Sequence, residues 1–413
     1  MRALTAAAAT DKARGLRTAL KNSPGHAIAL GGLAVLTAGV LVLLLFSHPF
    51  SVSSQPFPDA HEYLNAAYRL AHGQGYTTTV RDSVYSPHVR QAVNPPRYPP
   101  GTSLVLAPFA LLGSYPGNVE LGSRLIVIGL VVVTGWAGYS IGGWYAALIS
   151  GLVIAVSPFA RLNTHIVMSD PLGALLVVVC VPLMRVRGTW ATYLVGFLAG
   201  FGVVVRDSGL IVVVCLLIVA QGKGRLRVAL GAVGPIVGLA LYNRSTFGAP
   251  WASGYSYWLG PFREYSLSYV FKHPWPTVNV GLYQSSLSLF HLAAQSSTGP
   301  IGPLPNLVFY PLILLGFSTV YGVPGLTLIG LVTAIRSWKR PQARFTVLVA
   351  CGSVVFYIPN FGQDTRLLAG PCILLTAWGA VGLVGITRAV WNRYGDALWN
   401  PDPSALSQTT RST

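Results

Sequence analysis

The sequence predicts an all-α integral membrane protein, a bundle of about ten transmembrane helices. Three observations predict it. Of its 413 residues, 52% are hydrophobic and 9% charged, leaving more apolar surface than a soluble domain can hide. Apolar runs of roughly 20 residues, the length that crosses a hydrocarbon core, recur from Ala27 to Ala389. The Lys and Arg residues punctuate those runs and do not gather on one soluble module. Despite a net charge of +17, they therefore read as topology signals beside anionic lipid, and nucleic acid is excluded as a partner.

The elements follow in order. A basic arm, 1–26, with Arg2, Lys12, Arg14, Arg17 and Lys21, precedes the apolar segment 27–47. That segment is too long for a signal-peptide core, so it is expected as an uncleaved first helix with its basic flank in the cytoplasm. Further basic clusters stand at Arg185 and Arg187, at Lys223, Arg225 and Arg227, at Arg336, Lys339, Arg340 and Arg344, and in the C-terminal tail. If all face the cytoplasm, an even number of crossings separates each pair. Spans near 121–140, 144–160 and 171–184 then make 48–119 a long external loop and place the turn His165–Asp170 outside.

The stretch 190–220 is broken at Arg206-Asp207-Ser208-Gly209 and is expected as two short crossings. One long helix would bury an Arg–Asp pair at mid-bilayer at a cost of several kcal/mol. The run 228–242 exits again, 243–302 is a second external loop, and 303–335 divides at Gly322–Pro324 into an interfacial segment and one span. Spans near 345–358 and 367–387 complete the ten. The expected organisation is thus one membrane domain, 27–388, and a disordered cytoplasmic tail, 389–413, in the plasma membrane with both termini inside. Cys180, Cys215, Cys351 and Cys372 lie within apolar stretches and read as small hydrophobes.

Drawn from Lys and Arg alone, this map is tested by the acidic residues. Asp59, Glu62, Asp82, Glu120, Asp170, Asp207, Glu264 and Asp364 all fall in external segments or at external helix ends; Asp11, Asp396 and Asp402 belong to the tails. Chemistry is therefore expected at the extracytoplasmic face. Its richest stretch is Phe57–Tyr76. Pro58-Asp59 opens a helix and Gly73 and Gly75 close it, while Leu64, Ala67, Leu70 and Ala71 form a stripe suited to lying on the bilayer. Asn94-Pro95-Pro96-Arg97-Tyr98-Pro99-Pro100-Gly101 then leads into Thr102–Leu112, expected as an external juxtamembrane helix. Plainer readings stand beside these: Asp59 and Asp170 as helix caps, the arginines as snorkelling interfacial residues, and the Trp and Tyr residues of 251–283 as an aromatic belt.

The order Asp59, Tyr63-Leu64, Ala67, Leu70, Gly73, Gly75-Tyr76, then Tyr98-Pro99-Pro100-Gly101, resembles the first external loop of the GT-C fold glycosyltransferases. That superfamily includes the aminoarabinose and protein O-mannosyl transferases. Arg124-Leu125, Ser169-Asp170 and Asn243, Phe247-Gly248, Pro250, Gly254-Tyr255 follow in the same order, over roughly 57–260. Beyond that, Asp364-Thr365-Arg366 only loosely resembles a late arginine-containing loop. The chain departs from the pattern where Ala60 follows Asp59, since protein mannosyltransferases carry a second acid there.

The resemblance implies inverting transfer of a single sugar from a polyprenyl-phosphate carrier to a glycan, lipid or protein acceptor on the outer face. Asp59 would be the catalytic base, with Glu62 one turn later as reserve. Arg97, Arg206 and Arg366 would hold the donor phosphate, with Arg244 and Arg263 weaker candidates. Tyr63, Tyr98 and Asp170 would bind substrate. No cofactor is implied with certainty, and a divalent cation on Asp59 and Asp170 stays open. The rival readings are a transporter or flippase of lipid-linked sugars and a non-catalytic envelope scaffold; the sequence shows neither an internal repeat nor charges placed at mid-membrane.

Overall fold

In the computed structural model the described residues are 58–80, 92–113, 115–164, 166–186, 188–258, 278–279, 306–316, 318, 320–358, 362–363 and 365–399. All belong to one unit, Phe50–Thr413. The expected basic arm and first helix, His165, Arg187, Arg263, Asp364 and the tail from 400 lie outside the described residues.

The helices are α1 (Pro58–Ala71), α2 (Gly101–Ala110), α3 (Gly117–Gly142), α4 (Trp144–Ala155), α5 (Pro158–Asn163) and α6 (Asp170–Leu183). They continue with α7 (Thr189–Val205), α8 (Gly209–Val219), α9 (Lys223–Phe247), α10 (Gly254–Trp258), α11 (Asn306–Leu314), α12 (Leu326–Arg336), α13 (Pro341–Tyr357) and α14 (Ala369–Trp399). A 3-10 turn, Thr365–Leu368, precedes α14. The only sheet among the described residues is the two-residue parallel pair β1 (Val278–Asn279) and β2 (Gly362–Gln363).

Among the described residues three helices are long and apolar enough to cross a membrane: Gly117–Gly142, Lys223–Phe247 and the run Thr365–Trp391. The expected spans near 144–160, 171–184 and 190–220 appear as shorter apolar helices. The break expected at Arg206 is present: α7 stops at Val205 and α8 restarts at Gly209, where a Cβ would overlap the backbone of Gly202. The stretch 303–335 also divides, into α11 and α12. One boundary moves. The helix expected to end near 387 runs to Trp399, so 389–399 is helical and not a disordered tail; Pro401 is the next strong breaker.

Small residues bring the helices together. A Cβ at Gly196 would overlap the Val228 carbonyl, and one at Gly231 the Tyr193 carbonyl, so α7 and α9 pack backbone to backbone. Gly330 and Gly379 do the same for α12 and α14.

The carboxylates that open α1, α3 and α6 gather at one end of the bundle. α6 begins at Asp170, and its far end, Leu183 and Met184, lines a cavity shared with Gln221, Lys339 and Arg344. Arg340 donates to the Ile141 carbonyl, placing the α3–α4 junction at that basic end too. The stripe of α1 is a correction. Leu64 and Ala67 pack with Leu106, Ala110 and Val119 and with Ile166–Met168, so protein and not bilayer covers them. An isolated helix cannot announce which apolar surface will cover it.

Candidate active site

α1 carries Asp59 in its first turn and Glu62 and Tyr63 one turn on, all toward the loop 94–100. Arg97 Nη2 lies 3.1 Å from Asp59 Oδ1 and 3.7 Å from Glu62 Oε2. Arg97 N–H also donates to Glu62 Oε1, tying the loop backbone to α1. Burial pushes the Glu62 carboxyl up to about 7, against the neighbouring Arg97 charge. Burial likewise raises the Tyr63 and Tyr98 hydroxyls.

The loop is held by shape as much as by charge. The Tyr98 ring stacks on Tyr63 at 4.8 Å, and the Arg97 guanidinium lies 4.7 Å from the Tyr98 ring centroid. Tyr76 Oη donates to the carbonyls of Tyr98 (3.0 Å) and Pro99 (3.2 Å). Gly101 seats this loop on α7, because a Cβ there would lie 2.7 Å from the Val204 backbone. From the other side α10 closes over it. A Cβ at Gly254 would overlap the carbonyls of Pro96 and Arg97, and Trp258 Nε1 donates to the Pro95 carbonyl at 2.8 Å. Trp258 is buried and Tyr255 meets Tyr98 edge-on, so these aromatics pack on the Arg97 loop and not in a belt; Trp251 remains exposed. The resemblance, and not composition, pointed to Gly254-Tyr255.

Arg366 makes the long-range connection. It stands on the 3-10 turn before α14, with Nη2 3.6 Å from Asp59 Oδ2 and Nη1 3.9 Å from Met168 Sδ. It also lines a narrow cleft with Asp170, Arg206, Ser208, Tyr357 and Gly370. In that cleft Arg206 pairs with Asp170, which is 3% exposed. Asp59 and Asp170 therefore lie at the same end of the helices, joined through Arg366. Asp170 faces an arginine and does not simply cap its helix.

The eight expected side chains form one assembly: Asp59, Glu62, Arg97, Tyr98 and Arg366 in direct contact, Tyr63 through Tyr98, and Asp170 with Arg206 through the cleft they share with Arg366. Arg244 is exposed on the last turn of α9. Sequence reasoning missed Tyr357 and Ser208, which line the cleft, and Tyr321, whose hydroxyl donates to the Thr365 carbonyl and holds the Arg366 turn. Tyr357 was legible only as a polar residue ending an apolar run. The two carboxylates do not fit a divalent cation as arranged, since each already faces a guanidinium. Among the described residues no three His, Cys, Asp or Glu groups cluster.

The same helical scaffold occurs in solved proteins. ArnT, the aminoarabinose transferase from Cupriavidus metallidurans, is similar in its apo state at 17% identity and TM-score 0.52, covering 88% of this chain and 62% of ArnT. ArnT bound to undecaprenyl phosphate gives 16% identity, TM-score 0.52, and 90% and 62% coverage. The Archaeoglobus fulgidus oligosaccharyltransferase tethered with an acceptor peptide containing the NVT sequon gives 12% identity, TM-score 0.54, and 89% and 50% coverage. The chain has the GT-C fold of membrane glycosyltransferases. It spans 62% of the length of ArnT and 50% of the oligosaccharyltransferase. No family model and no curated protein sequence matches it.

Proposed function

We propose that this chain is an inverting glycosyltransferase that moves a single sugar from a polyprenyl-phosphate carrier to an acceptor at the extracytoplasmic face of the plasma membrane. The observation that carries the reading is Asp59 held between Arg97 and Arg366, with Arg366 reaching the Asp170–Arg206 cleft. Ten crossings, α1 and α2 as external juxtamembrane helices, and both termini in the cytoplasm complete it. The separation of carboxylate-rich and basic helix ends supports this orientation.

Asp59 is the base. Its side chain is 20% exposed, whereas that of Glu62 is 6% exposed and lies behind the Arg97 loop. Glu62 is better suited to positioning Arg97 than to meeting an acceptor. The acceptor hydroxyl attacks the anomeric carbon, its proton passes to Asp59, and the bond from that carbon to the phosphate oxygen breaks with inversion. The departing phosphate keeps the electron pair, so arginine charge at Arg366 and Arg206 can replace a general acid. Movement of the Arg366 guanidinium from Asp59 Oδ2 to the donor phosphate frees that oxygen for the proton. The enclosed room in the cleft is only 50 Å³, so a phosphate must open the Arg206–Asp170 pair on entering.

Asp59→Asn tests the assignment. In a deletion strain carrying the variant, mass spectrometry of extracytoplasmic glycans should show transfer reduced at least about 100-fold, with membrane insertion intact. Wild-type glycans from that strain would remove the proposed base. Glycans unchanged by deletion of the whole chain would favour the scaffold reading.

A further inference from the structure

We propose that the basic end of the bundle holds a binding site for one anionic phospholipid. A cavity of 480 Å³ lies there between the far end of α6, the starts of α7, α9 and α13, and the end of α8. Lys339 and Arg344 line it, and below them its walls are apolar, formed by Val195, Leu216, Val219 and Val228.

Three features make this cavity more than a patch of topology signals. First, Arg344 Nε is buried and has no hydrogen-bond partner among the described residues. Neighbouring cations are engaged: Arg225 Nε donates to the Ala220 carbonyl at 2.8 Å and caps α8, and Arg340 reaches the Ile141 carbonyl. Second, α7, α9 and α13 all point their N-termini into this region, and none has a side-chain cap or an acidic residue in its first turn. The free N–H groups of three helix starts add partial positive charge to that of Lys339 and Arg344. Third, no Asp or Glu lines the cavity, and the carboxylates of the site lie at the opposite end: Asp170 opens α6, Asp207 sits at the α7–α8 break, and Asp59 and Glu62 face Arg97.

A buried donor without a partner and three uncapped helix starts call for an anion. The apolar walls call for hydrocarbon. A phospholipid with a phosphodiester headgroup supplies both in one molecule, whereas free phosphate would leave the walls uncovered.

The test uses the purified full-length protein in maltoside micelles, titrated with dioleoyl phosphatidylglycerol, dioleoyl phosphatidylcholine or inorganic phosphate. Bound lipid is counted by native mass spectrometry, and thermal unfolding is followed in parallel. The wild type should retain one phosphatidylglycerol at energies that strip phosphatidylcholine, and its Tm should rise with that lipid alone. Arg344→Gln and, separately, Lys339→Gln should each weaken retention roughly five- to tenfold. Lys339 is exposed, so its variant tests the site without disturbing folding. Arg336→Gln removes an equal charge at a position that does not line the cavity and should change nothing. Equal retention of both lipids, equal weakening by Arg336→Gln, or the same Tm rise with millimolar phosphate would each overturn the proposal. Sugar transfer plays no part in the readout, so this site stands or falls apart from the proposed reaction.

Discussion

Arg97 illustrates how much one residue must satisfy at this site. Its backbone N–H ties the loop to Glu62, while its guanidinium neutralises two carboxylates and lies over a tyrosine ring, a side-chain role that a lysine cannot fill. Arg97→Lys should therefore abolish the bridging geometry and lower transfer at least tenfold, even though the charge survives. Wild-type transfer by that variant would remove Arg97 from the assembly. Glu62 yields a pH prediction. Burial raises its carboxyl from 4.5 to about 7, so the fold prefers the protonated form. The stabilisation is fully present below pH 4.5 and is lost as pH rises through about 7, a change of about 3 kcal/mol at most. Glu62→Gln should flatten that part of the Tm profile between pH 4.5 and 8. An unchanged slope would show that other groups set it.

Among the elements, the short α10 matters beyond its five residues, because Gly254 and Trp258 clamp the backbone that presents Arg97. A side chain at Gly254 has no space, so Gly254→Val should push the loop away. Transfer should fall sharply while the Tm moves only a few degrees, since the packed helices are untouched. A large loss of Tm with transfer intact per folded molecule would contradict this. The α7–α9 pair behaves differently. Gly200 packs against the Ala232 backbone in a close helix contact, and Gly200→Leu should destabilise by about 1–3 kcal/mol, seen as a lower unfolding temperature.

For the whole molecule, the decisive property is the separation of acidic and basic helix ends. Gln74 is exposed beside the α1 end, and Arg336 is exposed at the end of α12. In intact cells, an impermeant thiol reagent should label Gln74→Cys and spare Arg336→Cys until the membrane is opened. The reverse pattern would invert the proposed orientation and take the extracytoplasmic reaction with it.

Lys and Arg spacing led to a shared end for the carboxylates and, with the Arg206–Gly209 interruption, to the helix break there, while apolar length and Gly322–Pro324 led to the division of 303–335, because bilayer insertion is decided by local charge and apolar length. Residue order brought Asp59, Arg97 and Asp170 to attention. What the sequence did not contain was contact between distant segments. That Arg366 reaches Asp59, that Gly254 seats the Arg97 loop, and that the α1 stripe faces protein are outcomes of packing. Such contacts depend on which surfaces fit one another in three dimensions, a property no local spacing encodes.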